Sequence, residues 1–460
     1  MHRTRKSRAG VAPTARWRCP EAGREDRRWR PVAVRAGEGP ALFWSFGYFF
    51  FLLAGYYLLR PLRDVLGIAA GVRNLSWLFT ATFVVLVLVQ PLYGAALGRL
   101  SRRRFIPLVY RFFAAQIVLF WLLLGLQIGT VYVARAFFVW MGVFSLFVVS
   151  VFWSFMADLY SSEQSKRLFG FIGAGGTAGS LIGPSLAMGL SALLGPFNLL
   201  VIAALLLELA VFCARRLEKS AARMAGEASP RSPGTQAPPA YATRIAGGAA
   251  GGLRRLVRSP YLLGIACWVS LLSLCATVLY LEQASIVAAA THSRAVQTRI
   301  FASIDLLVAI LTLAIQVFAT GPFIVRFGVG AAAASLPAVF ALGFAALGAL
   351  PGLAAVVVFQ TVQRAVHFSL AGPARQALFT VAAREDKYKV KNVIDLVVYR
   401  GSDAVWSWLF LGLRRLRLSL AAIALLSLLA ALAWCVIAVA LGRTLERRAA
   451  APDGPPPSEA

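Results

Sequence analysis

The sequence predicts an all-α polytopic membrane protein, with twelve transmembrane helices in two six-helix halves. Three observations carry this. Of 460 residues, 59% are hydrophobic and 14% charged, and the mean hydropathy is +0.71, beyond the range of water-soluble domains. Apolar runs of about twenty residues, the length that crosses a bilayer, recur from Ala41 onward. A basic, proline-containing stretch at 215–259 divides those runs into two sets of six.

The chain begins with an Arg-rich segment, 1–40, broken by Pro20, Pro31 and Pro40 and lacking an apolar run of signal-peptide length. It predicts a disordered tail, either a solvated leader or the product of a translation start placed too far upstream; contact with anionic lipid is the functional alternative. The first half, 41–214, has spans near 41–60, 75–97, 105–126, 132–155, 168–190 and 195–214. The second, 260–443, has spans near 261–289, 300–320, 329–350, 353–374, 390–413 and 418–442. The stretch 215–259 contains ASPRSPGTQAPP and nine Lys/Arg against two acidic residues, and it predicts a flexible cytoplasmic linker. Residues 444–460 form a second disordered tail.

A formal net charge of +28 suggests nucleic acid, yet the positive residues lie mainly in the tail and in inter-helix loops. That is the positive-inside bias of a membrane protein, and it excludes a folded basic domain. With twelve spans, the tail, the loop GRLSRRR (98–104), the linker and 384–391 share one side. The expectation is a multi-pass protein of a bacterial inner membrane with both termini cytoplasmic. Two groups fit this badly, since Arg60, Arg63 and Arg73 after the first span, and Arg414, Arg415 and Arg417 after the eleventh, would lie outside. Cys19, Cys213, Cys267, Cys275 and Cys435 form no metal or disulfide pattern. No metal site, no cofactor and no enzymatic constellation of nucleophile and base is expected. The expected partners are a small anionic substrate and membrane lipids, with a monomeric chain.

The stretch REDKYKVKNVIDLVVYRGSDAVWSW (384–408) runs from charge into a membrane-spanning pattern. As a helix from about Val390, it aligns Asn392, Asp395, Tyr399 and Asp403 on one face beside Arg400. Ionisable groups are costly in hydrocarbon and face a bundle interior or a wet cavity, so this face predicts half of a transport site. The tenth span adds Gln360, Gln363, Arg364, His367 and Arg375 at helical spacing, with a purely structural network as the alternative. The eighth adds Asp305, Thr312 and Gln316, the seventh Ser270, Ser273, Thr277 and Glu282, and the fourth ends in Ser154 and Asp158. At the end of the first span Tyr56 and Arg60 share a face with Arg63 or Asp64, and Pro61 is expected to kink or end the helix. Arginine suits bidentate recognition of phosphate or carboxylate, with an interfacial anchor as the alternative role.

The fifth span contains GAGGTAG, without the preceding strand or the following Lys-Ser/Thr of a nucleotide-binding loop. Gly175, Gly179 and Gly183 at four-residue spacing predict close helix packing instead. Gly94-x-x-x-Gly98-Arg99-x-Ser101-Arg102-Arg103 and Gly321-x-x-x-Val325-Arg326-x-Gly328 follow equivalent spans of the two halves. This weak repeat resembles the paired Gly/Arg loops of the major facilitator superfamily.

Three stretches together resemble the nucleotide (ATP/ADP) translocase family allied to those facilitators. They are YYLLRPLRD (56–64), WSFMADLYSSEQSKRLFGFIGAGG (153–176) and GPARQALFTVAAREDKYKVKNVIDLVVYRG (372–401). The resemblance covers about 41–443, with the basic tail and the central linker outside it. It implies exchange of bulky phosphorylated substrates, with cations near the end of the first span and the start of the eleventh receiving the phosphates; Arg60, Arg63, Arg375, Lys391 and Arg400 match or neighbour those positions. The polar faces read above add Tyr56 and Arg364 as candidate substrate contacts in a carrier working by alternating access. Asp64, Asp305, His367, Asp395 and Asp403 are then candidates to balance charge or carry a proton. The chain departs from that family in lacking an acidic residue in 137–152 and in placing Asp403 where a Lys is usual. These departures leave open a proton-coupled carrier of a small organic anion, and, outside transport, a membrane scaffold that keeps the fold.

Overall fold

Backbone amides within hydrocarbon must bond inside their own segment, and the regular elements of the described residues are all helical. The computed structural model describes residue 35, then 38–99, 102–227, 249–379, 390–391 and 393–450. Within these, 91–99, 102–105, 162, 166, 222–227, 249–252, 255 and 448–450 are described by backbone alone.

The order is α1 (Gly39–Ala69), a 3-10 turn (Val72–Asn74), α2 (Leu75–Arg99), α3 (Arg102–Gly125), α4 (Thr130–Leu159), α5 (Ser162–Leu193), a second 3-10 turn (Pro196–Asn198) and α6 (Leu199–Glu227). Then come the short α7 (Ala249–Arg258), α8 (Pro260–Ala290), α9 (Arg294–Phe318), α10 (Thr320–Ala349) and α11 (Leu353–Val366). A π turn (His367–Ala371) joins α11 to α12 (Gly372–Leu378); a second π turn (Ile394–Val398) leads into α13 (Tyr399–Arg415), and α14 (Leu420–Ala450) follows. Among the described residues, ten helices are long and apolar enough to cross a membrane. Two expected spans, α5 and 394–415, fall outside that set: α5 carries glycines and hydroxyls, and 394–415 carries two aspartates and three arginines.

Short connections make successive long helices antiparallel. The turns at 70–74, 126–129, 194–198, 291–293, 350–352 and 416–419 therefore gather at one end, the loop end, opposite the starts of α1 and α8. Packing repeats along the chain: α1 lies on α4, α5 and α6 as α8 lies on α11, α13 and α14, and α3 packs on α6 as α10 packs on α14.

Several sequence expectations are corrected here. Helix α1 begins at Gly39 and runs through Pro61 to Ala69, so Pro61 neither ends it nor leaves Arg60 and Arg63 in a loop. Proline is tolerated in a buried membrane helix where neighbours occupy the freed backbone. The tail expected to 40 ends earlier: α1 begins at Gly39, and the preceding Glu38 is buried and held by Arg167 and Gln164 of α5. The stretch 215–259 is helical at both ends, to Glu227 and from Ala249, and its middle, 228–248, lies outside the described residues, as do 1–34, 36–37, 384–389, Asn392 and 451–460. The ninth span, expected from 329, begins with an added helical segment at 320–327. A break at Gly328 follows, whose φ of +83° suits glycine.

The glycines of α5 seat α1. An added Cβ at Gly175 would lie 2.5 Å from the Phe46 carbonyl oxygen, at Gly179 2.5 Å from that of Phe50, and at Gly183 2.6 Å from that of Ala54. The four-residue spacing thus follows successive turns of α1, as expected.

Candidate functional site

Where the first set of helices meets the second, α1 and α5 pack on α9, and α2 packs on α13. Toward the middle of these helices, charged groups converge on Asp305 of α9. Arg364 of α11 lies 2.7 Å from its Oδ1, and Arg60 of α1 lies 3.7 Å from the same oxygen. Two guanidinium groups thus share one carboxylate that is 3% exposed. Arg364 keeps Nε and one terminal nitrogen without a hydrogen-bond partner among the described residues, and Asp305 keeps Oδ2. At 1.5 Å per residue, Arg60, Asp305 and Arg364 each lie roughly 14–17 Å in from the loop end of their helices. Tyr57 places its ring 5.8 Å from the Arg60 guanidinium, and Tyr56 meets Tyr57 edge to face.

Asp403 of α13 forms the next layer. It accepts hydrogen bonds from Ser273 at 2.5 Å and Thr277 at 3.3 Å, both on α8, and Arg400 reaches its other oxygen at 3.5 Å. On α11, to the loop side of Arg364, Gln363 donates to Gln360, which donates in turn to Gln283 of α8. His367 opens the first π turn, its ring edge to face with Phe368.

The single polar face expected on 390–403 is divided. The π turn Ile394–Val398 adds a residue to one turn and changes the register. Asp395 pairs with Arg375 of α12 at 3.3 Å, near the termini end, whereas Asp403 turns to α8. Lys391 donates to Gln376 at 2.6 Å in the same outer layer. Arg63 and Asp64 lie on the loop side of Arg60. Arg63 bonds Asp64 at 3.1 Å and stands over the rings of Phe138 and Tyr280. The expected site residues therefore occupy three levels. Tyr56, Arg60, Asp305, Arg364, His367, Arg400 and Asp403 are central, Arg375, Lys391 and Asp395 lie toward the termini end, and Arg63 and Asp64 toward the loop end.

Sequence reasoning missed Tyr280. Its hydroxyl donates to Asp64 at 3.0 Å and its ring meets Phe79 of α2, so it ties α8 to both α1 and α2. Close by, Ser76 donates to the Ser407 carbonyl at 2.8 Å, Trp408 donates to Thr80 at 3.0 Å, and Trp77 meets Trp408 edge to face. Arg299 reaches the Met188 carbonyl at 3.4 Å, joining α9 to α5. These contacts join the two sets of helices between the central site and the loop end. Glu282, noted in the sequence but given no role, is fully buried with both carboxyl oxygens unbonded among the described residues.

No family profile and no curated protein matches the chain. Solved structures do. One is a bacterial homolog of the human lysosomal transporter Spinster in an inward-facing, unoccupied conformation, with TM-score 0.52 and 14% identity, covering 90% of this chain and 98% of that one. Another is the nucleoside transporter NupG, with TM-score 0.56 and 12% identity, covering 90% and 99%. The chain shares its overall fold with these two transporters.

Proposed function

We propose that the chain is a secondary transporter that moves a hydrophilic anion, nucleotide-like or otherwise phosphorylated, by alternating access. The observation that carries this is the pairing of both Arg60 and Arg364 with the single carboxylate of Asp305. Arg375, Arg63 and Arg400 each have an aspartate of their own, so among the described residues the ion pairs of the central level leave one cation over. An uncompensated buried cation is costly, and a bound anion removes that cost while occupying the free donors of Arg364. Tyr56 and Arg60 would meet the substrate from the first half, and Arg364 and Arg400 from the second. Arg375 and Lys391 would guide it in from the termini end, and Asp395 would release Arg375 as it passes.

Counting α5 and 394–415 as spans gives twelve, six on each side of 228–248, with the halves at 41–214 and 260–443 rocking about the shared site. Both termini would be cytoplasmic in a bacterial inner membrane, which makes this an inward-open arrangement of a monomer. Asp64 and Arg63 then belong to the outer closure rather than to the substrate. The neighbours' transport activities support a carrier of this kind, and the three stretches that resemble the nucleotide translocases favour exchange of phosphorylated substrates.

The buried Glu282, together with Asp403 and His367, favours a second reading, a proton-coupled carrier of a small organic anion. Carboxyl groups set inside a membrane bundle are suited to carry protons. Uptake of labelled ATP and ADP into proteoliposomes separates the two. Uptake that needs internal nucleotide supports exchange, uptake of an organic anion driven by a pH gradient supports proton coupling, and neither in folded protein refutes both.

A further inference from the structure

We infer that the cleft between α2 and α3 is a site for one anionic phospholipid, with its phosphate on Arg135 and an acyl chain along α4. The cleft has a volume of about 770 Å³ and a lining that is apolar except for Gln116 and Arg135. That volume falls within the range of roughly 300–1,000 Å³ typical of small-molecule pockets. It exists because α2 and α3 each pack on α4, Gly142 of α4 bringing Thr82 of α2 close, while their outer sides diverge over Val139 and Val143.

Its geometry follows that of a lipid. Along α4 the lining runs from Arg135 to Phe147, twelve residues or roughly 18 Å, close to the ~15 Å hydrocarbon depth of one leaflet. Arg135 stands near the loop end of α4, where a headgroup would lie. Gln116 lies deeper, nine residues from the loop end of α3 against five for Arg135 on α4, and its amide oxygen accepts from the Trp140 indole at 2.9 Å.

Arg135 supplies the charge argument. It has no carboxylate partner among the described residues, its guanidinium rests 5.7 Å from the Tyr132 ring, and its Nε is shielded without a hydrogen-bond partner. An arginine serving only as an interfacial anchor would turn its donors to water. Here one donor is turned away from water beside an apolar trough, and a phosphate oxygen satisfies both the charge and the donor. The site is separate from the Arg60, Asp305 and Arg364 cluster, so it stands whether or not the transport reading holds.

The test is native mass spectrometry of the detergent-purified full chain with phosphatidylglycerol or phosphatidylcholine of matched chains, and with glycerol phosphate as the free anion. One retained phosphatidylglycerol, preferred over phosphatidylcholine by about tenfold, is expected, with no retention of glycerol phosphate. Arg135→Gln should abolish the preference, and Val139→Trp, which fills the trough and keeps the charge, should lower retention of both lipids. Thermal unfolding in phosphatidylcholine establishes that each variant is folded, and Arg135→Lys serves as a second charge variant should Arg135→Gln fail to fold. Equal retention of the two lipids by the wild type, a preference that survives in Arg135→Gln, or binding of glycerol phosphate alone would each overturn the assignment.

Discussion

Asp305 on α9 lies 2.7 Å from Arg364 on α11, and the same carboxylate oxygen also faces Arg60 from α1. One short contact thus closes a pair within the second set of helices, and one longer contact reaches across to the first. Removing the shared partner leaves two buried cations uncompensated. Asp305→Asn is expected to destabilise the protein by about 3–5 kcal/mol, the cost of breaking a buried pair from one side. Arg60→Gln should cost less, since its contact is longer and Arg364 still neutralises Asp305. Thermal or denaturant unfolding of the two variants in one detergent checks the order; equal losses would mean that the cluster is not organised around Asp305.

Closure at the loop end rests on Tyr280 and Trp408. Tyr280→Phe deletes the hydrogen bond to Asp64, worth about 1.5–3 kcal/mol for a charged acceptor, and should shift the population toward opening at that end by tenfold or more. With the native cysteines replaced, a thiol introduced at Ala276, one turn from Tyr280 on α8, reports the change through its rate of labelling by a membrane-impermeant reagent. A rate that Tyr280→Phe leaves untouched would remove Tyr280 from the closure.

Helix α5 admits α1 only through its glycines. Gly179→Ala places a Cβ 2.5 Å from the Phe50 carbonyl oxygen and should cost about 1–3 kcal/mol through backbone displacement. Gly189→Ala, at a position in α5 where an added Cβ meets nothing within 4 Å, should be neutral or slightly stabilising. A comparison of the two unfolding midpoints isolates packing from helix propensity.

At the termini end, burial works to raise the Glu38 carboxyl, but hydrogen bonds from Arg167, the Arg35 amide and Gln164 outweigh it and hold the group at about 2, below its ordinary 4.5. A carboxyl lowered on folding stabilises the protein above its unfolded value, and that contribution fades as pH falls from about 4.5 toward 2. The stability gap between wild type and Glu38→Gln should therefore be widest near neutral pH and narrow below pH 4.5. A constant gap between pH 7 and pH 3 would contradict the linkage.

What the sequence made legible was governed by local chemistry. Apolar runs located the long helices because hydrocarbon solvates nothing else, and the spacing of Gly175, Gly179 and Gly183 forecast the α1 contact because a helix repeats its surface every turn or so. Pro61 does not end α1 as the sequence allowed, since its fit depends on neighbours that occupy the freed backbone. The face linking Asp395 to Asp403 misled, because the π turn between them changes the register and no residue in 394–398 marks such a turn. Tyr280 was invisible for another reason: Asp64 lies 216 positions away, and no periodicity relates residues on opposite sides of the linker. The charged residues of the central level could be picked out as costly in hydrocarbon, while their partners required the fold.

The central claim is that the cation left over at Asp305 receives an anion, and ligand-induced thermal stabilisation tests it most directly. Purified wild type and Arg364→Gln would each be heated with ATP and with adenosine, which differ by the phosphates alone. The account predicts that ATP stabilises the wild type well beyond adenosine, and that Arg364→Gln loses most of this difference, about a tenfold or greater drop in apparent affinity. Equal stabilisation by adenosine, or a preference for ATP that persists in Arg364→Gln, would contradict it.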